Sequence, residues 1–323
     1  MKIGIFGAGQ LAQMMAQAGQ DLNLSFVFLS PDEDACARHY GTHLIGDYKD
    51  KQACERLIAQ ADVLTYENEN LPYELLHSLE KTCVLRPSSE GLRVSGDRLR
   101  EKDYLNSVGI PTAPYADISE QADLQKAADS IGFPALLKTR RGGYDGKGQA
   151  RVQSVPELQE AWRELGGRPC ILEGMVKFER EISVIAARNT KGEIASYPVS
   201  ENHHQDGILR LSLVTPGDPK QAEAENLIER VLSDLDYVGV LTLELFESEG
   251  RLIANEMAPR VHNSGHWSIE TDAASQFRNH LLAITGQALG ATAINSRVAM
   301  INLIGDIPDL NSITDIPNLN IHQ

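Results

Sequence analysis

Short apolar runs alternate with longer amphipathic stretches through the first ninety or so positions. Residues 2–6 (KIGIF) read as a buried strand, Gly7–Gln10 as a turn, Leu11–Ala18 as a helix and Ser25–Leu29 as a second strand. Asp62–Tyr66 and Cys83–Arg86 continue the alternation as further strands. Strands spaced by helices build an open parallel α/β sheet, which places a first domain at residues 1–95.

The pattern then changes. Asp97 caps a helix through about Val108 that Gly109 and Pro111 end, and a helix over 119–130 stops at Gly132 and Pro134. Residues 135–138 form a strand that delivers Lys138 to a glycine-rich stretch. Ser154-Val-Pro-Glu157 is a capping box opening a helix closed by Gly166-Gly167, with a strand at Cys170–Glu173. From Glu181 the chain becomes richer in strands, at Ile182–Arg188, Glu193–Pro198 and Leu209–Val214, with His203-His204 and the Gln205-Asp206-Gly207 after it read as a turn. Asp218-Pro219 starts a helix to about Leu235. Val238–Phe246 and Arg251–Met257 flank Glu247–Gly250 as a hairpin, followed by a helix near 271–285 and a strand near 297–304. An α+β region thus follows the α/β domain.

Composition narrows the partners. Thirty basic against forty-five acidic residues give a net charge of −15 over 323 residues, which disfavours nonspecific binding to nucleic acid or anionic membrane. Neither a secretory leader nor an apolar run of membrane-spanning length is present, and the four cysteines are scattered without metal-type pairing. These features point to a cytoplasmic protein.

Against that acidic background, residues 138–149 (KTRRGGYDGKGQ) gather Lys138, Arg140, Arg141 and Lys147 with four glycines. Mobile backbone and positive charge together suit a polyphosphate, although Gly148 stands where the usual phosphate loop has Ser or Thr. Gly7-Ala-Gly9-Gln-Leu-Ala12 with Asp32 downstream matches a dinucleotide-binding turn. The same turn also serves to pack a helix on a sheet or to hold another phosphate. Glu244 and Glu256 lie on the two arms of the proposed hairpin, where two carboxylates beside a nucleotide suit magnesium. Side chains alternate, so a four-residue loop would put them on opposite faces. The metal reading therefore requires a loop of three or five residues, or a bulge. The polar loop after Glu256, with Arg260, His262, Asn263 and His266, suits hydrogen bonding to a substrate, Arg260 matching a carboxylate or phosphate. Glu173-Gly-Met-Val176 offers backbone groups to an adenine edge, and Glu181 a carboxylate to ribose hydroxyls.

In this order the pieces resemble an ATP-grasp enzyme. GAGQLAQMM, DVLTYENEN, DRLREKDYL, GGYDGKGQ, ENHHQDGILR and NEMAPRVHNSGHW are similar to one family in particular, the 5-(carboxyamino)imidazole ribonucleotide synthases of purine biosynthesis. The resemblance spans essentially the whole chain. It implies a Rossmann-like pre-ATP-grasp domain at 1–95, an ATP-grasp domain at 96–290 (lid about 110–172, metal-binding part about 173–290) and the start of a C-terminal β segment at 291–323. It also implies ATP as co-substrate, Mg2+ or Mn2+ as metal, aminoimidazole ribonucleotide and bicarbonate as substrates, and a homodimer.

Residue roles follow from the same likeness. Arg98 and Lys138 would reach the ATP phosphates, and Gly143, Tyr144, Asp145, Gly146, Lys147, Gly148 and Gln149 would close over them. Glu173, Gly174, Met175 and Val176 would border the adenine and Glu181 the ribose. His204 would lie nearby, with Asn255 and Glu256 at the nucleotide. Glu244 and Glu256 would hold the metal. Tyr144, Asp145, Arg260, His262 and Asn263 would face the ribonucleotide and bicarbonate, with Gln10 and Glu67 closing that pocket. Tyr144, Asp145, Lys147 and Arg260 would carry the chemistry. Two departures stand out: Ala258 replaces an Asn common in ATP-grasp enzymes, and the family's basic substrate-phosphate segment would lie past Gln323, which predicts weak substrate affinity for residues 1–323. A noncatalytic ATP-binding protein and a nicotinamide-dependent oxidoreductase are the alternatives.

Overall fold

The computed structural model describes residues 1–143, 148–305 and 316–322. Its first unit is a parallel sheet in the order β3-β2-β1-β4, from β1 (Lys2–Phe6), β2 (Ser25–Ser30), β3 (Thr42–Ile45) and β4 (Val63–Tyr66). Helices α1 (Gln10–Gly19), α2 (Lys51–Ile58), α3 (Tyr73–Leu79) and α4 (Ser89–Ser95) complete it. Side chains alternate across the strands and fill two cores. Phe6, Val27, Leu29 and Leu64 pack with Leu57 on one face. Ile3, Ile5 and Phe28 on the other join Phe277 and Leu281 from late in the chain, which ties this sheet to the rest of the molecule. Residues 83–86 contribute only a single bridge, Leu64 to Leu85, rather than the expected strand. The short β3 was not anticipated, because THLI carries too little apolar pattern to mark it.

The turn after β1 explains its glycines. Gly7 has φ +124°, and a Cβ there would sit 2.2 Å from Glu67 Oε1. The Glu67 carboxylate accepts from the N–H groups of Gly9 (2.8 Å) and Ala12 (2.9 Å). A helix N-terminus attracts an anion, and here the chain's own carboxylate fills the place a pyrophosphate would take. This corrects the nicotinamide expectation at its anchoring point. Asp32, its other element, lies exposed beyond β2.

Helix α5 (Arg98–Ser107), capped by Asp97 as expected, leads into a four-stranded antiparallel sheet of order β5-β8-β6-β7: β5 (Tyr115–Ile118), β6 (Ala135–Thr139), β7 (Gln149–Val152) and β8 (Cys170–Gly174). Helices α6 (Asp123–Ile131) and α7 (Val155–Glu164) cover it, and Leu124, Leu137, Leu158 and Leu172 fill the space between. Helix α6 begins later than position 119 because the Asp123 carboxylate takes the N–H groups of Ser119 and Glu120, which organises a turn there.

The largest sheet runs β14-β13-β9-β11-β12-β15, with β10 also on β9. Its strands are β9 (Arg180–Arg188), β10 (Ile194–Ser196), β11 (Ser200–Gln205), β12 (Ile208–Val214), β13 (Gly239–Ser248), β14 (Arg251–Ala258) and β15 (Val298–Ile301). Helix α8 (Gln221–Asp234) packs Ile228, Val231 and Leu232 on one face, and α9 (Gln276–Ile284) packs Phe277 and Leu281 on the other. Burial of each such side chain contributes roughly 1.5–3 kcal/mol. His203 and His204 lie on β11 rather than in a turn. The chain reverses at Asp206-Gly207, both at positive φ, as a tight hairpin requires. Among the described residues no helix is long and apolar enough to cross a membrane.

Replacing Gly7 with Ala forces a Cβ into Glu67 at a backbone angle that disfavours side chains. The expected cost is about 1–3 kcal/mol of unfolding free energy, read from urea denaturation. An unchanged midpoint would contradict the account of this turn.

Candidate active site

The hairpin of β13 and β14 turns on two residues, Glu249 (φ +49°) and Gly250 (φ +71°), not the four expected. Ser248 pairs with Arg251 and Leu245 with Ala254, a register that would set Glu244 opposite Asn255. A bulge between Glu244 and Leu245 shifts it, so Glu244 pairs with Glu256. Asn255 is the extra residue. The bulge condition set by side-chain alternation is therefore met, and both carboxylates line one cleft with Arg98, Arg260 and His262.

Each carboxylate has a cationic or donor partner. Arg98 donates from Nη1 to Glu256 Oε2 at 2.8 Å and from Nη2 to the Gly143 carbonyl at 3.4 Å. His262 Nε2 lies 3.0 Å from Glu244 Oε1, while its Nδ1 faces Ser264, 2.9 Å from its Oγ and 3.4 Å from its N–H nitrogen. Burial opposes the charged form of Glu256, but Arg98, then Lys138 and His262, outweigh it and hold the carboxyl at about 2. Glu101 goes the other way. Burial, then the charge of Glu256, push it up to about 8, and its Oε1 accepts from the Met257 N–H at 2.6 Å.

The glycine-rich stretch is the connection between β6 and β7, in which Lys138 pairs with Gln149 and Gly148 takes φ +74°. Tyr144, Asp145, Gly146 and Lys147 lie outside the described residues. Two of the four cations expected to meet phosphate are already bound: Arg140 makes a two-pronged contact with Asp97 (3.0 and 2.9 Å) and Arg141 reaches the same carboxylate at 3.2 Å. Burial disfavours the Asp97 charge, yet the arginines hold its pKa below the ordinary value. Their fit to a cap residue fixes the base of the loop to α5, while both arginines still line the cleft. Lys138 turns inward to Glu173 Oε2 at 3.0 Å.

Glu173 and Gly174 end β8, and Met175 and Val176 follow, Met175 exposed. Glu181 on β9 and His204 on β11 meet at 2.5 Å across the sheet, and that hydrogen bond raises the His204 pKa. Arg260 makes a two-pronged contact with Glu69, including Nη2 to Oε1 at 3.1 Å. Asn263 is half-buried beside it in the chain, while Gln10 is exposed at the N-terminal turn. Glu67 is committed to the Gly9 and Ala12 N–H groups, so Glu69, two positions on, is the carboxylate of the first unit that reaches the cleft. Glu69, Glu101, Lys102 and the pairing of the cap residue Asp97 with two arginines were not anticipated. For Glu101 and Lys102 a signal existed: with Arg98 and Leu105 they share one face of α5, and Leu105 is the only apolar residue on that face, so burying it takes charged groups in with it.

Residues 103–277 match the model of the ATP-grasp domain, and residues 1–96 match that of the ribonucleotide synthetase preATP-grasp domain. The N5-carboxyaminoimidazole ribonucleotide synthase of Pseudomonas aeruginosa is 47% identical over 323 residues, covering 100% of this chain and 90% of the relative. The chain belongs to this family of ATP-grasp enzymes. The crystal structure of the Thermus thermophilus synthetase of the same name superposes with a TM-score of 0.92 at 46% identity, over 98% of this chain and 87% of that one. The Aspergillus clavatus synthase, solved with ADP and 5-aminoimidazole ribonucleotide, superposes with a TM-score of 0.87 at 29% identity, over 97% and 84% of the two chains.

The raised Glu101 gives a pH test. Its folded value of about 8 exceeds the ordinary 4.5, so its contribution to stability is full below about 4.5 and is lost as pH rises to about 8. Glu101→Gln keeps the acceptor for Met257 and removes the titration. Because buried His266 and His280 add the opposite slope in both chains, the test is the difference. The urea midpoint of the variant should rise relative to the parent as pH increases across this window, and parallel profiles would contradict the assignment.

Proposed function

We propose that this chain carboxylates 5-aminoimidazole ribonucleotide with bicarbonate at the expense of ATP, releasing N5-carboxyaminoimidazole ribonucleotide, ADP and phosphate. The observation that carries the reading to this cleft is the bulged register that sets Glu244 beside Glu256, with Arg98, Lys138, Arg260 and His262 around them. The relatives named above support the substrates.

Two paired carboxylates suit a hard divalent cation such as Mg2+ or Mn2+, and each is at present satisfied by a group, Arg98 or His262, that can turn to other acceptors. Bound there, the metal would neutralise charge on the transferring phosphoryl group. Lys138 and Arg98 would bind the phosphates, with Asn255 at the nucleotide. Gly143, Gly148 and Gln149, with Tyr144, Asp145, Gly146 and Lys147 between them, would cover the phosphates and exclude water. Glu173 to Val176 would border the adenine, and Glu181, held by His204, the ribose. Arg260, His262 and Asn263 would orient bicarbonate and the ribonucleotide, with Gln10 and Glu67 on the side of the first unit.

A bicarbonate oxygen attacks the γ-phosphorus and the bond to ADP breaks, giving carboxyphosphate. The exocyclic amine then bonds to the carboxyl carbon, of carboxyphosphate directly or of the carbon dioxide it releases. The C–O bond to phosphate breaks, and the departing phosphate takes the proton the amine gives up. Holding the labile anhydride next to the amine favours transfer over hydrolysis. Domains at 1–95, 96–290 and 291–323, a homodimer and a cytoplasmic location complete the proposal.

The test is phosphate release from Mg-ATP and bicarbonate with and without aminoimidazole ribonucleotide. Release that depends on the ribonucleotide is expected, and Arg260→Ala should reduce kcat/KM by about 100-fold or more. ATP binding without ribonucleotide-dependent release would favour the noncatalytic reading instead.

A further inference from the structure

Lys138 faces a conflict. The proposed function, on which this inference rests, needs its ammonium on a nucleotide phosphate, yet in the structure it is paired with Glu173. Glu173 is buried, and its Oε1 has no hydrogen-bond partner among the described residues. If Lys138 were its sole counter-ion, moving the lysine would leave a buried carboxylate uncompensated, which is strongly unfavourable. The pair would hold the lysine back.

A second lysine reaches the same oxygen. Lys102 Nζ, from α5, lies 3.4 Å from Glu173 Oε2 and donates to the Asn255 carbonyl at 3.4 Å. Its side chain is 2% exposed against 9% for Lys138, and it belongs to α5 rather than to the strand that leads into the glycine-rich stretch. On the same face of α5, Arg98 holds Glu256 and Glu101 holds the Met257 N–H, so the helix touches three consecutive residues of β14 as well as the end of β8.

We propose that Lys102 is a positioning residue that frees Lys138 for the nucleotide. Lys102 remains on Glu173 and balances its charge, while the more accessible Lys138 exchanges that carboxylate for phosphate. Two lysines on one carboxylate make the exchange nearly isoelectric in the interior. One lysine would make it a charge separation.

The experiment is calorimetric titration of Mg-ADP into the full chain and into Lys102→Met, Glu173→Gln and the double variant, with thermal unfolding measured on each. Lys102→Met should weaken ADP binding by about tenfold or more, because Lys138 is then the only counter-ion of Glu173. Adding Glu173→Gln should recover about fivefold or more of that loss, since Lys138 no longer faces a charge. A merely structural lysine would lower the unfolding midpoint and show losses that simply add. Additive losses, or ADP affinity within about twofold of the parent in Lys102→Met, would overturn the proposal. Should Lys102→Met fail to fold, Lys102→Gln carries the same comparison with the same outcomes. A parent chain that does not bind ADP would overturn the nucleotide site itself, a result distinct from failure of the lysine pair alone.

Discussion

Glu69, Glu101, Glu244 and Glu256 line one cleft, with Glu173 joined to them through Lys102 and Lys138, and carboxylates at that density need partners. Much else about the site follows from that constraint. Arg98 answers Glu256, His262 answers Glu244, and Lys102 and Lys138 share Glu173. Glu101, left with a backbone N–H instead of a cation, takes up a proton more readily than an ordinary carboxyl. The partners come from α5, β6 and the loop after β14, so charge balance ties together elements that are far apart in sequence.

The same balance prepares the cleft for chemistry. A site built to receive a polyphosphate and a divalent cation must hold fixed charges of both signs without letting them satisfy one another permanently. Here the cations rest on carboxylates at the cleft, while Arg140 and Arg141 are committed to Asp97. The first group suits exchange with a ligand. The second anchors the base of the glycine-rich stretch against the N-terminus of α5.

Much of the fold was legible in the sequence. The parallel sheet, the cap at Asp97, the strand ending near Lys138 and the hairpin carrying Glu244 and Glu256 rest on periodicity and capping, which are local signals. Alternation along the strands set the condition for both glutamates to share a face, an odd-numbered loop or a bulge, although it could not choose between them or place Asn255 as the extra residue. What was missed is non-local. Residue spacing does not reveal that Glu67 plugs the N-terminus of α1, because that contact joins β4 to a turn some sixty positions earlier. Nor does it reveal that Glu69 meets Arg260, or that Asp97 pairs with two arginines of the glycine-rich stretch. β11 was hidden because SENHHQ is polar, and its hydrogen-bonded place between β9 and β12 is set by the sheet rather than by its own side chains.

In the proposed reaction this cleft joins bicarbonate to the γ-phosphate of ATP before carbon reaches the amine. Oxygen-18 bicarbonate tests it most directly. With aminoimidazole ribonucleotide and Mg-ATP present, mass spectrometry of the released phosphate should find one oxygen-18 atom carried over from bicarbonate. Unlabelled phosphate, formed while the ribonucleotide is carboxylated, would show that bicarbonate never attacked phosphorus and would contradict the account.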